Sequence, residues 1–314
     1  MKEKKIQHKG RLAQTGIYLS KFLRMFVYQN DWKVIPMGAI IAALVTFVVG
    51  GNIFRTQEGT KLGVFALVCV CIWNGFFNSI QVVCREREII KHEHRSGLHM
   101  SSYIFAQMIY QLLLCTAQTI VTLLICVVAG VKIPEVGVVT PWGMLDTGIT
   151  ILLITYTADM MALMVSCLVK NTTTAMTVMP FLLIFQLVFS GGFVSLEGIA
   201  DKVKYLTISH WGMDSLCCVG RYNELPMVTL WNTLVGFKDV EFSGMTPHKD
   251  ILVKIEQEGY RDELLQWSGQ QNTVASYEAT MQNVTYNWLF LLILMLVFII
   301  LSIIALEFID RDKR

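Results

Sequence analysis

Long runs of apolar residues alternate with short polar segments along most of this 314-residue chain. A helix needs about 20 apolar residues to cross the hydrocarbon core of a bilayer. Six runs approach or exceed that length, at 34–52, 62–83, 103–131, 144–169, 175–194 and 288–306. The third and fourth runs are longer than necessary, so we expect those helices to tilt or to extend past the membrane. The pattern predicts an all-α polytopic membrane protein with six transmembrane helices.

A second periodicity precedes the first span. Between positions 11 and 32, apolar residues recur at spacings of three and four, with basic residues elsewhere. They are Leu12, Leu19, Phe22, Leu23 and Phe26. A helix with one apolar and one basic face is typical of a segment lying along a membrane surface. The pattern therefore predicts an N-terminal amphipathic connecting helix that leads into the first span.

Composition and charge support this assignment and orient it. The chain is 54% hydrophobic and 16% charged, whereas a soluble domain typically carries about 25% charged residues. Basic residues are concentrated in the N-terminal segment, the loop after the second span and the tail. Because short loops rich in Lys and Arg remain in the cytoplasm, we expect a multi-pass protein with both termini cytoplasmic. We expect its location to be the cell membrane of a bacterium.

The segment between the fifth and sixth spans, 195–287, has 93 residues, with twelve acidic and seven basic side chains. Its first third is fairly apolar, and its remainder has the composition of a small soluble subdomain. An amphipathic helix is predicted around 248–267. The organisation we predict has four parts: a cytosolic segment (1–33), spans one to five with an intracellular helix (34–194), an external segment (195–287), and the last span with its tail (288–314).

Three histidines in the polar stretch after the second span raise the possibility of a metal site. A zinc-peptidase helix needs H-E-x-x-H so that both imidazoles share one face. Here Ser96 occupies the position where a second histidine would follow His92 and Glu93. His92 and His94 point to different sides of a helix, and His99 is about two turns, roughly 10 Å, from His92. The spacing therefore argues against a metal site.

Catalytic and nucleotide-binding signatures are also missing from the sequence. It contains neither the nucleophile motif G-x-S-x-G nor the phosphate-binding motif G-x-x-x-x-G-K-[ST], and it has no basic face for nucleic acid. We therefore expect no enzymatic activity, no cofactor in this chain and no nucleic-acid partner. If ATP drives the protein, ATP and Mg²⁺ belong to a different polypeptide.

The charged stretch at 84–100 is predicted to form a short intracellular helix. Glu88 precedes Lys91 and His92 by three and four positions, which allows helix-stabilising ion pairs, and Gly97 provides a stop. Such a helix between two long spans could receive a push from a soluble partner. A charged turn without a partner is the alternative.

One acidic residue, Asp159, lies near the centre of the fourth span. An Asp at a helix centre costs on the order of 3 kcal/mol on insertion scales, so its side chain must be protonated, paired or exposed to water. It could be a polar point on a translocation path. It could equally hold helices together with its neighbours Thr155 and Thr157.

Three separated motifs resemble one family. The run G-F-F-N-S-I-Q-V-V-C-R-E-R-E-I-I-K-H-E-H-R-S-G-L at 75–98 resembles the second span and following intracellular helix of ABCG-like, or White-type, ATP-binding-cassette exporters. F-S-G-G-F-V-S-L at 189–196, followed by Y-L-T-I-S-H-W-G-M-D-S-L at 205–216, resembles the fifth span and the re-entrant external segment. L-S-K-F-L-R-M-F, which begins at 19, is similar to the connecting helix.

The resemblance implies a type-2 permease domain, two of which pack around a central path and are driven by two cassettes that dock on the intracellular helix. The residues implied to couple to the ATPase are Glu86, Arg87, Glu88, His92, Glu93 and Gly97. The candidates for the substrate path are Trp73, Phe77, Asn78, Asp159, Phe185 and Phe189. The aromatic residues could instead be ordinary packing or lipid-facing side chains.

The sequence departs from the family where an aromatic clamp and a leucine plug are expected, since Asn74 and Gly192-Phe193 occupy those places. The hypothesis is a permease subunit of an ATP-driven exporter, working with a separately encoded ATPase and a second permease copy or paralogue in the lipid bilayer. The alternative is a membrane-anchored sensor or receptor that displays the external subdomain.

Overall fold

The computed structural model describes residues 10–28, 31–191, 198–238, 240 and 247–308. Within these ranges the chain is helical, and its only β-type pairing is an isolated bridge between Val136 and Trp142. The helices are α1 (Arg11–Tyr28), α2 (Val34–Val49), α3 (Gln57–Ser79), α4 (Val82–Arg95), α5 (Met100–Val128), α6 (Gly143–Leu168), α7 (Thr172–Val188), α8 (Ile199–Val203), α9 (Ile208–Val219), α10 (Thr229–Gly236), α11 (Pro247–Glu258), α12 (Arg261–Gln271) and α13 (Met281–Glu307). The all-α polytopic prediction is confirmed.

Five of the described helical segments are long and apolar enough to cross a membrane. They are Val34–Asn52, Gln57–Arg95, Met100–Val128, Gly143–Leu168 and Met281–Glu307. The predicted fifth span corresponds to α7, a shorter apolar helix of 17 residues, which at 1.5 Å per residue is about 26 Å long. The count of six therefore depends on α7 and stays a prediction. Residues 192–197, including the Gly192-Phe193 position, lie outside the described residues.

Side-chain caps explain where several of these helices begin. The Thr56 hydroxyl accepts a hydrogen bond from the Gly59 amide at the start of α3, and the Asn171 side chain does the same for Thr174 at the start of α7. Thr207 and Thr280 cap α9 and α13. Such caps satisfy amide groups that the helix itself leaves without acceptors, and they mark the first turns of α3, α7, α9 and α13.

The helices form a bundle with two distinct ends. One end, which we call the α4 end, holds α1, α4 and the beginning of α5, with Phe22, Ile90 and Tyr103 in its hydrophobic cluster. At the opposite end, which we call the α9 end, all twelve residues of α9 are buried against the bundle. A larger cluster, which includes Val68, Ile154 and Leu216, joins α3 and α6 to α9.

Helices α10, α11 and α12 form a small subdomain at the α9 end of the bundle. This subdomain is attached to the first turn of α3. The Glu58 carboxylate accepts hydrogen bonds from the amides of Val228 (3.0 Å) and Thr229 (2.8 Å), which lie at the N-terminus of α10. The neighbouring Gln57 is fully buried, and its side-chain amide donates to the Gly269 carbonyl of α12 at 2.9 Å. Two adjacent residues of a membrane-length helix therefore fix the position of the subdomain.

The single amphipathic helix predicted around 248–267 is wrong in one respect, because the segment forms two helices. Gly259 lies between α11 and α12 with a φ of +76°. That left-handed conformation suits a residue without a Cβ atom and ends a helix. The hydrophobic periodicity continued across this break, so the pattern alone did not reveal it.

All eight cysteines are free thiols. Seven of them are buried and Cys69 is partly buried. Cys217 and Cys218, the two outside the predicted spans, lie in α9 and are fully buried. The cysteines therefore pack as small apolar side chains.

Helices α3 and α6 approach each other closely at Gly75 in α3. A Cβ atom placed there would lie 2.4 Å from the Thr155 carbonyl oxygen and 2.7 Å from the Asp159 amide nitrogen of α6. Both distances are shorter than a carbon atom tolerates, and both neighbours are backbone atoms. Gly75 therefore permits the contact on which the α3–α6 pair depends.

We predict that Gly75→Ala destabilises the protein by about 1–3 kcal/mol, the usual cost of overpacking a tight interior. Unfolding in mixed detergent and dodecyl sulfate micelles, followed by tryptophan fluorescence, measures the change. Gly16→Ala in α1 is the matched control, since no atom lies within 4 Å of a Cβ atom at that position. Equal stabilities of the two variants would contradict the role of Gly75.

Candidate functional site

Helix α4 presents two chemically different faces. Only Ile80 and Gln81 separate it from α3, so the two helices form an almost continuous unit, Gln57–Arg95. Buried side chains lie on one face of α4, namely Val83, Cys84, Glu86, Arg87 and Ile90. The opposite face is exposed and consists of Arg85, Glu88, Ile89, His92 and Arg95. We call this set the outer face of α4.

The two inward carboxylates of α4 bind helix α1. The Lys21 ammonium lies 3.2 Å from a Glu86 carboxylate oxygen, and the Tyr18 hydroxyl donates to Glu93 at 2.5 Å. Burial and then the Glu93 carboxylate raise the pKa of Tyr18 well above its ordinary value, so the phenol remains a hydrogen-bond donor at neutral pH. These contacts join the connecting helix to α4 across more than 60 residues of sequence.

A third residue of α1 holds the turn that follows α4. The Gln14 side chain donates to the Gly97 carbonyl at 3.2 Å and accepts from the His99 amide at 3.0 Å. Gly97 has a φ of +102°, a conformation that favours glycine and stops the helix. The predicted stop at Gly97 is confirmed, although α4 begins at Val82 and ends at Arg95 rather than covering 84–100.

Helices α4 and α6 cap one another. The Ser166 hydroxyl of α6 accepts hydrogen bonds from the amides of Val83 (3.1 Å) and Cys84 (3.2 Å), at the start of α4. In return, the Arg87 guanidinium donates to the carbonyls of Cys167 (2.9 Å) and Val169 (3.1 Å), at the end of α6. A cation at a helix C-terminus also interacts favourably with the helix dipole. The exchange fastens α4 to the end of α6.

The structure thus divides the six predicted coupling residues into two groups. Glu86, Arg87 and Glu93 contact other parts of their own chain, and Gly97 shapes the following turn. Glu88 and His92 lie on the outer face. Both groups remain predictions as coupling residues, but only the second is exposed for direct contact with a partner.

Four of the residues predicted to line the substrate path form two aromatic pairs. The rings of Trp73 and Phe77, one turn apart on α3, stack with centroids 6.3 Å apart and planes 6° apart, and each side chain is 43% exposed. Phe185 of α7 and Phe189, just after it, lie 4.9 Å apart. Exposed aromatic rings suit a surface that faces either lipid or a path, so the path assignment stays a prediction.

The polar candidates Asn78 and Asp159 lie inside the bundle. Asn78 and Gln118 exchange two side-chain hydrogen bonds, of 2.9 and 3.0 Å. Asp159 is fully buried and accepts from the Cys115 thiol at 3.3 Å. These contacts connect α3, α5 and α6, and Asp159 does not share the exposed face of Trp73 and Phe77.

Two adjoining cavities open beside these residues. The first, of about 250 Å³, lies among α1, α3, α4 and α5 and is lined in part by Phe22, Asn78, Glu86, Gln107 and Gln111. The second, of about 220 Å³, lies between α2, α3 and α5. Val34 and Phe77 line both cavities. Phe77 therefore marks the junction between them.

The histidines of the α4 region do not converge. His92 is exposed, whereas the His94 Nδ1 atom lies 3.1 Å from the Leu98 carbonyl oxygen. Among the described residues, no three His, Cys, Asp or Glu side chains lie close enough together to hold a metal ion.

Sequence reasoning missed Gln186, which connects α7 to α9. Its side-chain oxygen accepts hydrogen bonds from the amides of Ile208 (2.9 Å) and Ser209 (3.3 Å). Gln186 is 1% exposed, and a single Gln within an apolar run was the available signal. It also missed Gln14, Tyr18 and Lys21, because the polar residues of an amphipathic helix are usually solvated.

We predict that the Tyr18–Glu93 hydrogen bond contributes to stability as a bond to a charged group, about 1.5–3 kcal/mol. Tyr18→Phe and Glu93→Gln should each destabilise the fold, and the double variant should lose less than the sum of the two, because they share one interaction. The same micellar unfolding assay measures all three.

Tyr28→Phe provides the control, since Tyr28 lies at the end of α1 and is 82% exposed. Removal of its hydroxyl should leave stability unchanged. Strictly additive losses at Tyr18 and Glu93 would show that the bond does not couple α1 to α4.

Comparisons with known proteins agree with the geometry. The family described as "ABC-2 type transporter" matches residues 18–217, which is more than half of the chain. The "Broad substrate specificity ATP-binding cassette transporter ABCG2" of Sus scrofa is 26% identical over 204 residues, covering 60% of this chain. The match spans 30% of the length of that relative. On its motifs, its helical bundle and the extent of the family match, the chain belongs to the ABC-2 type transporter family and carries an ABCG-like permease domain.

Proposed function

We propose that the chain is the permease subunit of an ATP-driven exporter and that the outer face of α4 receives a separately encoded ATPase subunit. ATP and Mg²⁺ would bind to that ATPase. A second permease copy, or a paralogue, would complete the translocation path in a bacterial cell membrane, with both termini in the cytoplasm. The observation that carries the proposal is the two-faced construction of α4, which is locked to its own chain on one side and exposed on the other.

The contacts of α4 support a mechanical role. A force applied to Glu88, Ile89 or His92 would reach α3 directly, because only two residues separate α3 from α4. It would reach α6 through Arg87 and Ser166, and α1 through Glu86 and Glu93. A closing ATPase could thereby move three helices together and change the opening of the path at Trp73 and Phe77.

The relative's name supports the class of function, since it describes an ATP-binding cassette transporter. Broad substrate specificity is a property of that protein. The present chain differs from the family pattern at Asn74, so that property is not carried over to it.

A sensor or receptor role is the second candidate, and one observation favours it. Gln57 and Glu58 of α3 bind the subdomain that α10, α11 and α12 form. Helix α3 in turn leads directly into α4. A ligand on the subdomain could change the position of α4 by this connection. Under this alternative the partner at α4 would be a signalling protein rather than an ATPase.

We predict that Glu88→Ala with Ile89→Ala lowers the stimulated ATPase activity of the reconstituted complex at least tenfold and weakens co-purification of the ATPase subunit. Both side chains are exposed, so the thermal stability of the permease should not change. The assay compares ATP hydrolysis by the co-purified ATPase with and without the permease in proteoliposomes.

Ile251→Ala with Glu256→Ala is the matched control, because it replaces one exposed Ile and one exposed Glu on α11, in the subdomain. This variant should retain full stimulation. Normal stimulation by the α4 variant would exclude the outer face of α4 as the docking site. Association of the native chain with a signalling protein, and with no ATPase, would favour the sensor role.

A further inference from the structure

Asp159 lies in the middle of α6 without a charged partner. Its side chain is fully buried, and none of the salt bridges among the described residues includes it. The Cys115 thiol donates to one carboxyl oxygen at 3.3 Å, and the other oxygen finds no hydrogen-bond partner among the described residues. The Ser79 hydroxyl adjoins the carboxyl group but forms no hydrogen bond with it. Asp159 therefore receives a single hydrogen bond, from a weak donor.

A second aspartate of the same helix shows how this protein accommodates a buried negative charge. Asp146, in the first turn of α6, is also fully buried. Its carboxylate accepts hydrogen bonds from three backbone amides, those of Val138 (2.6 Å), Val139 (2.9 Å) and Thr140 (3.0 Å). The N-terminus of a helix also favours an anion. Within the described part of the chain, Asp159 has neither the amide donors nor the helix terminus.

The helices that surround Asp159 do not supply a basic group. Helix α5 places the Cys115 thiol against it, and the Tyr156 phenol lies one turn earlier on α6 itself. Helices α3 and α13 contain no acidic or basic residue in the stretches 62–83 and 288–306. An ionised Asp159 would therefore be an isolated charge among membrane helices.

The ionisable side chains of the other two helices that pack on α6 have different partners. On α4, Arg87 donates to a main-chain carbonyl at the end of α6, and Glu86 is paired with α1. On α9, His210 and Asp214 lie 3.6 Å from each other. An isolated buried charge is so costly that such a group takes its neutral form instead, and for Asp159 the neutral form is the protonated acid.

The contact between α3 and α6 encloses this acid. A Cβ atom at Gly75 would lie 2.7 Å from the Asp159 amide nitrogen, so the backbone of α3 covers this turn of α6. Because Asp159 is fully buried, water reaches its carboxyl group only after neighbouring helices move apart. In water the O–H bond can break, so that the proton passes to a water molecule and a carboxylate remains. Renewed contact between the helices then requires the return of the proton.

We propose that Asp159 is a proton-binding site, which is occupied while α3 and α6 are in contact and exchanges its proton with water when they separate. Such a linkage is reciprocal, since the proton stabilises the contact and the contact retains the proton. Helix α3 leads into α4, so the inference deepens the proposed function and rests on it for this last link. A proton would then be a ligand of the step in which the ATPase moves α4.

Infrared spectroscopy of the full chain at neutral pH tests for the neutral acid. Dodecyl maltoside micelles are used, because this detergent contains no carbonyl group. The wild type should show the carbonyl stretching band of a protonated carboxylic acid. Asp159→Asn should lose that contribution and melt at the wild-type temperature, since the amide is neutral and of the same shape. Asp146→Asn is the control and should leave the band unchanged.

The spectra also contain the results that would overturn the proposal. These are an unchanged carboxylic-acid band in Asp159→Asn, or the loss of a carboxylate band in its place. If Asp159→Asn does not fold, labelling of the aspartates with carbon-13 assigns the wild-type band to an aspartic acid. The double variant Asp146→Asn with Asp214→Asn then removes the other two buried aspartates of the described residues. Retention of the labelled band in this variant supports the site at Asp159, and its absence rejects it.

The link to the helix contact is tested by deuterium exchange. In D₂O the band moves to lower frequency as the proton exchanges, which gives the rate. Gly75→Ala, whose Cβ atom forces α3 and α6 apart, should exchange at least tenfold faster than the wild type. Gly16→Ala in α1 should exchange at the wild-type rate, because no atom lies within 4 Å of its Cβ position. Equal rates for Gly75→Ala and the wild type would reject the link between contact and proton.

Failure of this site and failure of the proposed function give different results. In the complex with its native ATPase, exchange at Asp159 should be at least tenfold faster during ATP turnover than without ATP. Unchanged exchange, with normal ATPase stimulation through the outer face of α4, would reject the link to α4 and keep the exporter role. A neutral Asp159 with faster exchange in Gly75→Ala, in a chain that stimulates no ATPase, would retain the site and reject the exporter role.

Discussion

The placement of two carboxylates, Glu86 and Glu93, determines how the α4 end of the molecule is assembled. Both belong to a helix that is short, charged and exposed on its other side, yet both are directed toward α1. A partly buried carboxylate is stable only while its partners remain in place. Helix α4 therefore cannot leave α1 without separating Lys21 from Glu86 and Tyr18 from Glu93. The connecting helix and α4 are best regarded as one mechanical unit, which Arg87 and Ser166 join to α6.

The existence of the long helices could be predicted because it depends on local properties. A run of apolar residues about 20 long has few alternatives to a membrane helix. Boundaries were less accurate: α13 begins at Met281, seven residues before the predicted 288, because the polar turn after its Thr280 cap is also helical. The break at Gly259 was not predicted, because the apolar periodicity continues from α11 through this glycine into α12.

The orientation of α4 could not be predicted, because charged residues occupy both of its faces. Glu86, Glu88 and Glu93 are chemically alike in the sequence. Their environments differ only through α1, which lies about 70 residues earlier in the chain. The cavities were unpredictable for a related reason, since each is formed where several helices fail to fill the space between them.

The burial of the native thiols has a practical consequence for spectroscopy. With seven cysteines enclosed and only Cys69 partly accessible, a polar maleimide should find little to react with on the folded protein. The native thiols of the wild-type chain should therefore contribute little unwanted signal in site-directed labelling. A spin label or fluorophore on an introduced surface cysteine would report distances, and the buried native cysteines would not have to be replaced first.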